Sequence, residues 1–570
     1  MHGTSLKQRA RQSCPDGSTF LPICRQDMAR RGWDELDILL VSGDAYIDHP
    51  AFGVPLLGRV LEAQGYRVGI VAQPRWDTPD DIARMGRPKL FAGISGGSLD
   101  SMLAHYTAFR KKRHDDAYTP GGKAGARPNR ASIVYTNLIR QAFPGLPVVL
   151  GGIEASLRRA AHYDFWTDRL RRSILLDAKA DLIAYGMSEQ TIMTIADRVR
   201  NGEPLEAIPG TCGLGTPPAD ARALPSFEEI QTTPECLLGA SQAIEEQVHH
   251  GVGTLVQAHG TRHLVINPPA PLLDTAALDD VYDLPFTRRT HPSYALPVPA
   301  EEMIRWSITA VRGCGGGCTF CALALHQGRR VRSRSSQSVL KEVRALTKHP
   351  QWKGAISDIG GPTANLWGAT CDIAPTDCHR PSCLFPSRCR HLRLSQKDYL
   401  SLLRQAKSQP GVKHVRVGSG IRFDLAIEDP AFCDGLTAEF VGGQLKLAPE
   451  HSVAHVLRLM RKTDFTLFER FRKLFTSANR RAAKEQYIVP YVMSAFPGCR
   501  VEDMKALATW FRQQGWRPQQ VQCFVPTPGT IATAMFYSEH APDGTSIHVA
   551  RTDREREKQH ALLIPRAKRR

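Results

Sequence analysis

Short apolar runs punctuate the first third of the chain, each closed by a glycine or a polar turn. They fall at residues 37–43, 66–72, 90–95, 146–152 and 181–186. A run of that length, bounded by turn residues, reads as a parallel strand buried on both faces. A helix-like stretch over 52–64 follows the first run, with Gly65 placed to end it. Strands alternating with helices predict a doubly wound parallel sheet, whose ligands sit outside the carboxyl ends of the strands. A second series of apolar runs lies at 304–311, 354–359, 412–417, 442–447, 486–493 and 520–525. Six strand–helix units predict a partial (β/α)6 barrel with its chemistry at the C-terminal strand ends. The expected class is therefore α/β, a doubly wound parallel sheet followed by a partial barrel.

Punctuation between the runs sets the expected boundaries. Residues 1–33 read as a disordered leader and 34–200 as a Rossmann-like α/β domain. Residues 201–299 read as a linker and connecting segment, Pro-rich at its start, with a capping box at Ser226-Phe227-Glu228-Glu229 and a strand-like run over 261–267. The barrel is expected over 300–540, with a Cys-rich insert at 371–389, and a basic tail over 541–570. A long basic insert at 111–130 reads as a functional or mobile loop.

Composition narrows the class. At 42% hydrophobic and 23% charged residues the chain is globular in character, and no apolar run reaches the ~18 residues of a spanning helix. Fourteen cysteines without a secretory h-region imply reduced thiols or metal ligands and a cytoplasmic location, with no membrane partner. The net charge of +18 favours polyanions and keeps RNA open as a partner.

The densest chemistry is Arg312-Gly313-Cys314-Gly315-Gly316-Gly317-Cys318-Thr319-Phe320-Cys321. Three thiols in a glycine-rich loop can converge on one metal centre, and glycine lets the loop fold tightly. A structural zinc site and an ordinary iron–sulfur cluster both take four protein ligands. Three thiols alone leave either a zinc knot completed by His326 or a distant cysteine, or a cluster with one iron open to chemistry. A second group, Cys371, Cys378, Cys383 and Cys389, lies in a Pro-containing loop and suggests an auxiliary cluster or zinc.

The first motif resembles the CxxxCxφC signature of the radical S-adenosylmethionine (SAM) superfamily, with Phe320 as the aromatic φ. That resemblance implies an enzyme. Cys314, Cys318 and Cys321 would hold a [4Fe–4S] cluster whose open iron binds SAM, and reductive cleavage would give a 5′-deoxyadenosyl radical acting on an unknown substrate. A flavodoxin- or ferredoxin-type electron donor is implied with it. At the barrel strand ends, Gly360-Gly361-Pro362 stands where the superfamily carries a GGE-like turn toward SAM. Ser419 and Arg422 are candidates for the SAM carboxylate or ribose, since Arg is the natural carboxylate fork. An ion pair of Arg422 with Asp424 or Glu428 is the competing reading. Glu450 and His451 are candidates for ribose binding or proton transfer, and the basic stretch from His326 to Arg334 for an acidic substrate or SAM.

Many superfamily members carry an N-terminal cobalamin domain with an Asp-x-His-x-x-Gly loop. Here His49 is present, but Ile47 replaces the Asp and Phe52 the Gly. The strings Gly43-Asp44-Ala45-Tyr46, Gly151-Gly152-Ile153-Glu154, Asn267-Pro268-Pro269, His326-Gln327-Gly328-Arg329, Ser382-Cys383-Leu384-Phe385-Pro386 and Leu447-Ala448-Pro449-Glu450-His451 are similar to the YgiQ-type family of radical SAM proteins. Phe496 and Cys523 depart from it, where His and Asp are expected. Two other functions stay open: an RNA-modifying, methylthiotransferase-like enzyme, and a non-catalytic iron–sulfur or zinc protein.

Overall fold

The computed structural model describes residues 20–564. The chain divides into two compact units, residues 1–305 and 306–570. Among the described residues no helix is long and apolar enough to cross a membrane.

The first unit is built on a nine-stranded sheet. Its strands are β1 (Ile38–Ser42), β2 (Val68–Ala72), β3 (Phe91–Ser95), β4 (Val148–Gly151), β5 (Leu182–Ala184), β6 (Thr211–Leu214), β7 (Arg222–Leu224), β8 (Leu255–His259) and β9 (Arg262–Ile266), in the order β2-β1-β3-β4-β5-β6-β9-β8-β7. β2 to β5 are parallel, as the apolar runs predict. Successive side chains of a strand point to opposite faces, and both faces of β1 are covered. Leu39 and Val41 join one core with Ile94, Leu150 and Tyr135, while Ile38 and Leu40 join another with Val68, Ile70 and Phe91.

The segment 201–299 is not a linker. It supplies β6, β7, β8 and β9, and β6 runs antiparallel to both its neighbours, β5 and β9. The capping box forms as expected, Ser226 Oγ accepting from the Glu229 amide at 3.1 Å at the start of helix Phe227–Thr232. Residues 1–19 of the expected leader lie outside the described residues. The remainder is ordered, with helix Arg25–Arg30 and a fully buried Leu21.

Among the described residues the second unit contains strands at all six expected places: β10 (Ser307–Thr309), β11 (Asp358–Gly360), β12 (His414–Val415), β13 (Gln444–Glu450), β14 (Tyr487–Ser494) and β15 (Gln520–Cys523), joined by parallel pairing in three ladders. β10 pairs with β11. The short strand Ala355–Ile356, just before β11, pairs with β12, and β13, β14 and β15 form a continuous ladder. Helices Ser336–Leu346, Gln396–Lys407, Pro430–Glu439, Phe465–Arg481 and Val501–Gln513 fill the crossovers. Their buried faces (Val339, Leu346, Leu403, Phe432, Phe468) pack with Ile308, Ile359, Val415, Leu445 and Leu447 into one core.

The basic tail expected over 541–570 is largely structured too. Residues 565–570 lie outside the described residues, but helix Asp553–Ala561 buries Arg556 and Gln559. Gln559 Oε1 accepts from the Ala495 amide at 2.9 Å and Nε2 donates to the Cys499 carbonyl at 3.0 Å, which holds the turn after β14.

Candidate functional site

The cysteine loop follows β10 and the two-residue strand Val311–Arg312, so it stands at a C-terminal strand end. Gly313 has φ +76°, and a Cβ there would lie 2.3 Å from the Arg330 carbonyl oxygen; only glycine fits. The Thr319 hydroxyl donates to the Leu459 carbonyl at 2.8 Å, its amide to the Met460 carbonyl at 3.2 Å, and its own carbonyl accepts from Ala532 at 3.0 Å. Between these anchors the Cys314 and Cys318 thiols draw together around Gly316. A Cβ built on Gly316 would stand 3.4 Å from Cys314 Sγ, 3.7 Å from Cys318 Sγ and 3.5 Å from Arg422 Nη1. Burial pushes the Cys321 thiol up to about 12, and the Cys318 and Cys314 thiols act in the same direction. Burial also raises Cys318, while Lys462 and Arg422 pull it down. Among the described residues no three His, Cys, Asp or Glu side chains stand close enough to ligate a single ion.

Charged groups from two strand ends and one helix end surround the thiols. Arg422 is not on the surface: it lies buried beside Cys314 and Cys318, and its guanidinium holds Asp424 through two nitrogens, Nε at 2.9 Å and Nη2. Burial works against both charges, and the pair outweighs it, so Asp424 is held below the ordinary carboxylate range. Glu450 sits where β13 shifts register against β14, with φ +66°, and burial raises its carboxyl. Lys462, just past helix Ala454–Met460, is buried with Nζ 3.9 Å from Glu450 Oε1.

The other candidates bear on the scaffold. Ser419 Oγ lies 3.1 Å from Asp358 Oδ1, the same oxygen that accepts from the Gly418 and Ser419 amides at 2.7 and 3.0 Å. The Gly360 carbonyl accepts from Ala310 at 2.7 Å, and a Cβ on Gly361 would strike the Val311 carbonyl oxygen at 2.1 Å. His451 is fully buried; its Nδ1 accepts from the Val453 amide at 3.0 Å and its Nε2 meets Cys499 Sγ at 3.6 Å. Phe496 packs edge-to-face on Phe320 of the cysteine motif, centroids 6.2 Å apart, and on Phe524 at 5.3 Å. Cys523 is buried.

The basic stretch after the loop binds backbone. Arg329 Nη2 donates to the Arg380 carbonyl at 2.7 Å, and Arg330 Nη2 to Ile373 at 3.0 Å, so both arginines pin the 371–389 insert. That insert clasps the cysteine loop: the Cys383 amide donates to the Gly315 carbonyl at 2.8 Å and the Ser382 hydroxyl to the Gly316 carbonyl at 2.6 Å.

In the first unit, the carboxyl edge of the sheet is filled by its own side chains. The insert at 111–130 is folded over it and supplies Asp116 and Arg127. Arg127, fully buried, lies 2.8 Å from Asp44, 3.2 Å from Asp116, and donates to the Gly96 carbonyl at 2.9 Å. Glu154 accepts from the Ser101 and Ser132 amides at 2.8 and 3.0 Å. Asp48 pairs with Arg59 at 2.7 Å. His49 Nδ1 accepts from the Ala51 amide at 3.0 Å, and Nε2 lies 3.0 Å from the Arg288 guanidinium.

Buried histidines make stability pH-dependent. Burial pushes His451 down to about 4. The unfolded chain takes up this proton below about pH 6.5 while the folded chain does not, so stability is untouched above pH 6.5 and falls from there toward pH 4. At pH 5.5 the loss is about 1.4 kcal/mol. In urea denaturation His451→Asn is expected to lose that much less than the parent between pH 7.5 and 5.5; equal losses contradict the assignment.

A loop of three thiols, with two buried cations and a buried carboxyl around it, makes a site suited to a thiolate-bound cofactor and a zwitterionic ligand. Sequence reasoning found the thiols, Arg422 and Glu450, and missed Lys462, whose burial depends on the fold around it.

Comparison with known proteins agrees with this architecture. The family model described as Radical SAM N-terminal matches residues 20–307, and Domain of unknown function (DUF3362) matches 519–567. UPF0313 protein GSU2873 of Geobacter sulfurreducens is 50% identical over 557 residues, 96% of this chain and 92% of that protein. UPF0313 protein YgiQ of Escherichia coli (strain K12) is 40% identical over 623 residues, 97% of this chain and 84% of that protein. Among solved structures, the radical S-adenosylmethionine methyltransferase TsrM from Kitasatospora setae, with cobalamin and a [4Fe-4S] cluster bound, superposes with TM-score 0.51 at 15% identity, covering 87% of this chain and 76% of that one; the likeness is one of fold. The chain belongs to the UPF0313, YgiQ-type family of radical SAM proteins.

Proposed function

We propose that the second unit is a radical SAM enzyme in which Cys314, Cys318 and Cys321 hold a [4Fe–4S] cluster. The observation that carries this reading is the meeting of the Cys314 and Cys318 thiols and the Arg422 guanidinium around Gly316, with Cys321 three residues further along the same loop. The donor set fits the group. A cluster spreads its thiolates wider than a single ion does, and three of them leave one iron open. When bound, the cluster supplies the electron that cleaves SAM reductively to methionine and a 5′-deoxyadenosyl radical, which abstracts hydrogen from the substrate.

The chain's own residues bind and enclose. Lys462 and Glu450 are only loosely paired at 3.9 Å, which lets them receive the carboxylate and amino groups of SAM. Arg422, held by Asp424, sets a fixed positive charge against the thiolates and the SAM carboxylate. Ser419 and Gly360, packed against each other at neighbouring strand ends, and Gly361 are assigned to the backbone side of the SAM site. Phe320, Phe496 and Phe524 make an apolar wall that keeps water from a reactive intermediate.

Cobalamin does not fit the first unit. His49 is engaged on both nitrogens, and Arg127, Asp44 and Asp116 occupy the sheet edge, so no step is assigned to a corrin.

Anaerobically reconstituted protein with dithionite, standing in for a flavodoxin- or ferredoxin-type donor, is expected to convert SAM to 5′-deoxyadenosine and methionine in equal amounts by liquid chromatography. Cluster-loaded protein that forms neither product with cell extract as substrate source would refute the enzymatic reading.

A further inference from the structure

Within 371–389 only Cys378, Ser382, Leu384 and Cys389 are buried. Regular structure there amounts to the two-residue strand Thr370–Cys371 and the turn Pro375–Asp377. One large apolar side chain, Leu384, does not offset the cost of ordering such a stretch, about 1–2 kcal/mol per residue. The backbone nevertheless gathers Cys371, Cys383 and Cys389, and Cys378 is buried in the loop between them. The Cys389 amide donates to the Cys383 carbonyl at 2.8 Å, and the Leu392 amide to the Cys389 carbonyl at 3.1 Å. Leu392 in turn faces Cys371 across a short antiparallel ladder. Cys389 joins Leu384 and Leu392 in one apolar cluster, and Cys383 packs against it. All four cysteines are free of disulfides.

We propose that Cys371, Cys378, Cys383 and Cys389 form a second metal centre, closed by four thiolates and separate from the Cys314–Cys321 triad. Four soft donors with no open position suit a zinc ion or a [4Fe–4S] cluster, not a substrate-binding metal. Loading zinc releases the thiol protons to solvent with no change of oxidation state, and assembling a [4Fe–4S] cluster from ferric iron and sulfide releases the same protons and takes up two electrons, supplied by the dithiol reductant of the reconstitution mixture. The thiols now stand wider than ligands of one ion, and the scarcity of regular structure lets the loop close on a metal. The centre lies beside the first one. Cys383 Sγ is 3.4 Å from the point where a Cβ on Gly315 would stand. Metal loaded here stiffens the clasp on the triad.

The test uses the full-length chain carrying Cys314→Ala, Cys318→Ala and Cys321→Ala, reconstituted anaerobically with iron and sulfide or with zinc and passed through gel filtration. Elemental analysis is expected to find about four irons with matching sulfide, or about one zinc, per chain. The first result identifies a cluster and the second a zinc ion. Adding Cys378→Ser and Cys389→Ser is expected to remove that metal. The proposal is overturned if the folded triad variant, checked by circular dichroism, retains neither metal, or if the added changes leave the metal content unaltered. Should the triad variant not fold, the unaltered protein decides: about eight irons, or about four irons and one zinc, support the centre, and about four irons alone overturn it. Neither result depends on turnover of SAM, so failure here is distinct from failure of the enzymatic reading.

Discussion

Cys318→Ala is expected to lower 5′-deoxyadenosine formation by on the order of a hundredfold or more, beyond the 10–100-fold typical of changes one shell out from a metal ligand. With one of three thiolates gone, two remain to anchor the cluster. The metal-free fold should tolerate the change. Cys318 is absent from the apolar clusters of the second unit, and a buried free cysteine behaves there as a small hydrophobe. A stability loss of about 1 kcal/mol, the centre of the range for single substitutions, is expected. Product chromatography and urea denaturation of the metal-free protein read the two effects separately. Full activity with Cys318→Ala would remove the thiol from the cluster.

Arg422→Met should behave differently, losing about 3–5 kcal/mol of stability because it strands Asp424 as a buried charge without its partner. The double change Arg422→Met with Asp424→Leu removes both charges and should recover most of that loss, as apolar replacement of a whole buried pair often does. Retention of SAM by the cluster-loaded protein, read by equilibrium dialysis, should stay weak in both. A double variant that regains SAM binding along with stability would reduce Arg422 to a structural role.

The parallel strands could be read in the sequence because burial on both faces leaves an uninterrupted apolar run, as in Ile38–Ser42. β6 and β7 could not. They are three or four residues long, with exposed Leu214, Arg222 and Ala223, and they owe their existence to pairing with β9 and β8. In the site, the cysteine spacing carries its own chemistry and was visible at once. Arg329 and Arg330 were not so readable. A run of basic residues looks the same whether it meets a substrate or a backbone carbonyl, and only the fold brings the carbonyls of Arg380 and Ile373 to them. The insert at 111–130 misled for a related reason. Its glycines and charges suggest mobility, yet Arg127 finds two buried carboxylates that lie far away in sequence or in another turn.

The clasp of Ser382 and Cys383 on Gly315 and Gly316 bears on any attempt to pare the protein down to a minimal catalytic core. Excising 371–389 leaves two carbonyls of the cysteine loop without donors, at about 1–3 kcal/mol each where water cannot replace them. The loop and the insert are thus one component made from two stretches of chain, and neither can be transplanted or trimmed alone.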